Sequence, residues 1–197
     1  MKDISLIKGL GKATDGPVTI TEKTVTKMQD FQDEPGIFGI AREPEILKNV
    51  QRLIGEDVYS IHTMYINKPS DLGTGSSRHP PHQDLLYFPI RPAHLICGVW
   101  TALQKITIEN GCLYVVPGTH TQPLLRHEYP KDSVNNKSYF GILDVSPDTM
   151  MNVEMDAGDT LYFHPLLIHG SGANLSNQFR KAISTLYASS QCVDIST

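Results

Sequence analysis

The chain has 197 residues, 40% of them hydrophobic, which is enough for one domain with a sizeable core and too few for two of ordinary size. A formal net charge of −4 argues against a nucleic-acid binder that relies on a basic surface. No stretch reaches the roughly 18 apolar residues of a membrane span. Three cysteines, Cys97, Cys112 and Cys192, are odd in number and widely spaced, which favours free thiols in a reducing compartment.

Glycines at 9, 11 and 16 make residues 1–21 read as a loosely held arm ahead of a single domain over 22–197. A short β-type run at 22–28 opens that domain. The spacing of Ile46, Leu47, Val50, Leu53 and Ile54 predicts a helix near 43–54, with Pro44 in its first turn and Gly55 ending it; its apolar stripe suits the cover of a sheet. From Val58 the pattern turns to short β-type runs at 58–66, 84–90, 94–104, 112–116, 151–155, 159–166 and 179–188. Asn110-Gly111 and Val116-Pro117-Gly118-Thr119 are turn signals, and 68–81 with much of 117–149 read as rim loops. Seven or eight strands with no βαβ alternation favour a mainly β, two-sheet sandwich or barrel of the jelly-roll type, with one or more covering helices.

Chemistry concentrates in His82-Gln83-Asp84, His169-Gly170-Ser171-Gly172 and Arg180. In extended backbone alternate side chains share a face, so His82 and Asp84 point together and Gln83 points away. Adding His169 gives two imidazoles and one carboxylate on one face of an octahedral ion, a set that suits ferrous iron and leaves three positions open. A closed zinc site fits less well, because the chain has no CxxC pair. Arg180 lies in an apolar run, Phe179 to Tyr187, and a buried guanidinium needs a carboxylate. The distal carboxylate of a bound keto acid such as 2-oxoglutarate would supply one; an internal salt bridge to Asp or Glu is the plain alternative. His120 and His127 read as solvated loop residues, and His164 as a core histidine whose ring holds a backbone carbonyl.

The runs His79 to Trp100, Asn110 to Leu113, Val116 to His120 and Gly158 to Arg180, with Thr26 to Phe31 and His62-Thr63-Met64, resemble the phytanoyl-CoA dioxygenase family over about residues 22–192. The resemblance implies a double-stranded β-helix (cupin-like jelly roll) with Fe(2+), 2-oxoglutarate as cosubstrate, O2, and ascorbate as a stimulant. It implies 2-hydroxylation of a 3-methyl-branched acyl-CoA such as phytanoyl-CoA, in fatty acid α-oxidation, with succinate and carbon dioxide as coproducts. On this sequence His82, Asp84 and His169 would be the metal ligands, and Arg180 with Ser171 would hold the distal carboxylate. Lys27, Met64, Gln83 and Trp100 fall on further cosubstrate-contact positions; an exposed edge-strand lysine and a core tryptophan are the plain alternatives for Lys27 and Trp100.

Against the family's pattern, the chain is expected to lack both flanks, including the segment that would carry a peroxisomal address. The expected location is the peroxisome, or the cytoplasm if a short form is the product. Two alternatives stay open: the same cofactor chemistry on another small molecule, or a catalytically weak short form acting as a binding or regulatory protein.

Overall fold

The computed structural model describes residues 3–6, 25–71, 77–129 and 140–196. Its strands are β1 (Asp3–Leu6), β2 (Val25–Gln29), β3 (Val58–Lys68), β4 (His79–His82), β5 (Ile90–Arg91), β6 (Ile96–Ala102), β7 (Leu113–Val115), β8 (Met151–Val153), β9 (Thr160–Phe163), β10 (His169–Ser171), β11 (Arg180–Ser189) and β12 (Val193–Asp194). They form a six-stranded sheet in the order β1-β2-β3-β11-β6-β9, a four-stranded sheet β4-β10-β7-β8, and the small pair β12-β5. Every pairing is antiparallel. An apolar layer of Trp100, Ala102, Ile106, Cys112, Leu113, Met155, Phe163 and Ala182 joins the two larger sheets, so the jelly-roll expectation holds.

The two helices are α1 (Pro35–Phe38) and α2 (Pro44–Ile54). In α2, Pro44 starts the helix and Gly55, at φ 102, ends it, as the sequence predicted. Ile46, Val50 and Ile54, at four-residue spacing, bury one stripe against Cys97, Val99 and Tyr187 on the outer face of the large sheet. Burial of that kind contributes about 1.5–3 kcal/mol per large aliphatic side chain.

The predicted strand at 84–90 is absent. Asp84–Tyr87 is a 3-10 turn and only Ile90–Arg91 pairs. The strand lies just before it, as β4, inside the segment expected to be a loop. Pro80 and Pro81 disguise it, since neither can donate to a ladder; β4 tolerates them because it is an edge strand paired only with β10. Asp3–Leu6, within the predicted arm, pairs with β2, while residues 7–24 lie outside the described residues. So do 72–76 and 130–139 of the two expected rim loops. At the Asn110-Gly111 turn, Gly111 has φ +81 and a Cβ there would stand 2.6 Å from the Gly172 carbonyl oxygen, so both torsion and space require glycine. No helix among the described residues is long and apolar enough to cross a membrane.

Candidate metal centre and anion pocket

His82 ends β4, Gln83 is extended at φ −119 and ψ 126, and Asp84 opens the 3-10 turn. The alternation read for the triplet therefore survives although the strand stops at His82. Opposite, β10 sets His169 directly across from His82. His82 Nε2 lies 3.2 Å and His169 Nε2 3.5 Å from Asp84 Oδ1, and the three candidate ligand atoms fall within 4.8 Å of one another.

Backbone carbonyls fix the imidazole tautomers. His82 Nδ1 donates to Pro80 O and His169 Nδ1 donates to Leu167 O, each at 2.9 Å, so each Nε2 is left as a lone pair. Burial, reinforced by His82 and opposed by Asp84, lowers His169 to about 4, which leaves it uncharged at neutral pH. Burial alone would raise the Asp84 carboxyl, but the adjoining His169 and His82 rings outweigh it and bring it to about 2, so it is ionised. Two lone pairs and a carboxylate oxygen thus converge with no proton to share, an arrangement that a cation resolves. Two nitrogens and one oxygen fit a ferrous ion.

Gln83 points the other way and is fully buried. Its amide donates to Leu166 O at 2.8 Å and Pro123 O at 3.2 Å, and its oxygen accepts from the Leu125 amide at 2.7 Å. These backbone partners engage both donors and the oxygen, which departs from the cosubstrate contact that the resemblance implied. His127, expected on the solvated surface, is buried and accepts the Gln83 backbone N–H at 3.0 Å. His164 accepts the Leu166 N–H at 3.2 Å, where a bond to a carbonyl was expected; His120 is exposed, as read.

On the inner face of the large sheet, Arg180 starts β11 at 2% exposure, with its guanidinium carbon 5.2 Å from the centre of the Trp100 ring. Its Nε and Nη1 are buried without a hydrogen-bond partner, and no carboxylate among the described residues lies within 4.0 Å, so among these residues the internal salt bridge is not formed. Burial lowers it to about 10, so it remains charged. An unpaired buried guanidinium is costly, and an incoming carboxylate relieves it. Trp100 is both core and pocket, because it packs in the apolar layer and lies under Arg180. Met64 shares a row with Trp100 and Ser184 across β3, β11 and β6. Lys27 is not an exposed edge residue: β1 lies outside β2, and burial lowers its ammonium.

The sequence reading missed Lys68. It ends β3 directly across from Arg180, is 6% exposed, and donates from Nζ to Ser171 Oγ at 2.8 Å and to the Gly172 carbonyl. Burial first and the Arg180 charge second lower it to about 6. A run ended at 66 placed it in a loop; the cue available was an apolar strand whose end faces that of Arg180.

Solved structures share this fold. They include the epimerase SnoN in complex with Fe3+, α-ketoglutarate and nogalamycin RO (TM-score 0.69, 22% identity, 85% of this chain and 64% of the other). EvdO2 from Micromonospora carbonacea complexed with 2-oxoglutarate is similar (TM-score 0.67, 23% identity, 88% and 71%). The fold is thus the double-stranded β-helix (cupin-like jelly roll) that these structures share with the chain. By sequence, the family described as phytanoyl-CoA dioxygenase (PhyH) matches residues 4–182, and the chain belongs to it. It is 54% identical over 193 residues to the probable phytanoyl-CoA dioxygenase of Caenorhabditis elegans, covering 95% of this chain and 60% of the relative. It is 49% identical over 198 residues to peroxisomal phytanoyl-CoA dioxygenase of Rattus norvegicus, covering 100% and 56%. The human peroxisomal enzyme is 48% identical over 195 residues, covering 94% and 58%. The chain therefore spans less than two thirds of the length of these relatives.

Proposed function

We propose that this chain carries an Fe(II)- and 2-oxoglutarate-dependent dioxygenase activity that hydroxylates the 2-position of a 3-methyl-branched acyl-CoA of the phytanoyl-CoA kind. The observation that carries the reading is the convergence of three ligand atoms on His82, Asp84 and His169 beside a buried guanidinium two of whose nitrogens have no hydrogen-bond partner. Family membership and 48–54% identity to proteins named as phytanoyl-CoA dioxygenases supply the substrate class.

His82, Asp84 and His169 would hold the iron, and Arg180 with Ser171 the far carboxylate of the cosubstrate. Bound iron and 2-oxoglutarate would supply the oxidising power that places oxygen from O2 on carbon, releasing succinate and carbon dioxide. The protein's share is orientation and dryness. The carbonyls of Pro80 and Leu167 keep both imidazoles in the ligating tautomer, and Trp100 and Met64 close the inner wall. Gln83 supports the ligand pair from behind, and Lys27 lends positive character to the same face. We assign the catalytic unit to residues 22–197 and, since relatives bear the name peroxisomal, the location to the peroxisome, which fractionation of cells expressing the chain tests.

Anaerobic addition of iron(II) and then 2-oxoglutarate should produce the weak visible band of a keto acid chelated to ferrous iron. With O2 and phytanoyl-CoA, succinate and 2-hydroxyphytanoyl-CoA should form in equal amounts. A visible band with no succinate would identify a binding protein, and succinate formed only with another substrate would overturn the acyl-CoA assignment.

A further inference from the structure

Behind Arg180 and Ser171 stands a third polar side chain that none of the assigned roles uses. Lys68 comes from the neighbouring strand, level with Arg180 across the sheet. Its Nζ has two acceptors among the described residues, Ser171 Oγ and Gly172 O. A hydroxyl has one proton and two lone pairs. Because Lys68 Nζ donates to Ser171 Oγ in this arrangement, the hydroxyl proton of Ser171 is free to turn elsewhere, and the unpartnered Nε and Nη1 of Arg180 mark where an anion is called for.

We infer that Lys68 is a positioning residue for the dicarboxylate cosubstrate: by donating to Ser171 Oγ it aims the Ser171 hydroxyl as a donor at the distal carboxylate that Arg180 holds. This deepens, and rests on, the cosubstrate assignment made above. Its consequence is selectivity for keto acids with a second carboxylate, since the Lys68–Ser171–Arg180 group has no task when the ligand ends in a methyl group. Burial first and the Arg180 charge second depress the Lys68 ammonium, and an anion held beside Arg180 would relieve the second of these.

The test uses the full chain loaded with iron(II) without oxygen and follows the visible band of the chelated keto acid. 2-Oxoglutarate is compared with pyruvate, which chelates through the same keto-acid end and lacks the distal carboxylate. Lys68→Met should raise the 2-oxoglutarate Kd by about 10- to 100-fold, the range of a lost charged hydrogen bond, and leave the pyruvate Kd unchanged. Lys68→Arg should restore most of the loss. In a Ser171→Ala background Lys68→Met should cost much less than in the wild type, because its effect passes through the hydroxyl. Equal weakening of both keto acids would make Lys68 a purely structural tie between β3 and the turn after β10, and no weakening of either would leave it without a role; both overturn the inference. A wild-type protein that gives a band with pyruvate and none with 2-oxoglutarate would instead overturn the cosubstrate assignment itself.

Discussion

The two faces of β11 are built from one strand and treated in opposite ways. Outward, Tyr187 is 2% exposed, packs against α2, and donates its hydroxyl to the Ala41 carbonyl at 2.6 Å. Inward, Arg180 is equally buried and leaves two nitrogens unpaired. A folding core satisfies nearly all the polar groups it buries, so two unpaired nitrogens on one inward-facing side chain point to a ligand. The contrast separates a stability region from a chemical region only a few residues apart on one strand.

The largest effect should come from the metal ligands. His82→Ala, Asp84→Ala or His169→Ala should each abolish iron retention after gel filtration and turnover with it, while far-ultraviolet circular dichroism stays strand-dominated. Full iron content in any one variant would remove that residue from the site. Next, Arg180→Ala should weaken 2-oxoglutarate by about 30- to 1,000-fold, equivalent to about 2–4 kcal/mol for a bidentate charged contact, with iron content near normal. Arg180→Lys should recover part of it, because a point charge cannot reproduce the fork. Arg180→Met sharpens the contrast, since removing an uncompensated buried charge should stabilise the cosubstrate-free protein, by about 1 kcal/mol or more in urea unfolding.

On the outer face the sign reverses. Ile54→Ala should destabilise the fold by about 2–5 kcal/mol and leave the 2-oxoglutarate affinity of the folded protein unchanged. Tyr187→Phe should cost about 1 kcal/mol, again without a binding phenotype. A keto-acid defect in either would show that the faces are coupled.

A pH dependence tests the inner face in another way. The Lys68 amine meets Arg180 from β11, Ser171 and the Gly172 carbonyl from β10 and its following turn, Asp71 beyond its own strand, the Cys112 thiol, and more distantly His79. Its folded value of about 6 lies below the ordinary 10.5, so between those pH values the unfolded chain binds more protons and stability rises with pH. Unfolding of the wild type and Lys68→Met from pH 6 to 10 should therefore show the wild type gaining on the variant as pH rises. A constant difference would mean that Lys68 is not depressed.

Much of this was legible in the residues. α2 was readable from its periodicity and its Pro and Gly punctuation, and the metal triplet from alternation that outlasted the strand, because Gln83 stays extended. β4 was hidden by Pro80 and Pro81, whose edge position no local pattern discloses. Lys68 and His127 escaped because their meaning depends on partners 103 and 44 residues away in sequence. Resemblance supplied Ser171, Trp100, Met64 and Lys27; only the register puts the last three on one face of the large sheet, with Ser171 on the other sheet.

Gln83 also gives the centre a built-in reporter. Its side-chain oxygen closes the Leu125 amide, while its own backbone lies between the two ligands His82 and Asp84. That amide exchanges when its bond to Gln83 opens, so its deuterium uptake reports how often the bond breaks. A metal ion that stills the His82-Gln83-Asp84 bend should slow exchange at Leu125, a residue that touches no ligand, and the protection factor of that one amide becomes a clock for the breathing of the site.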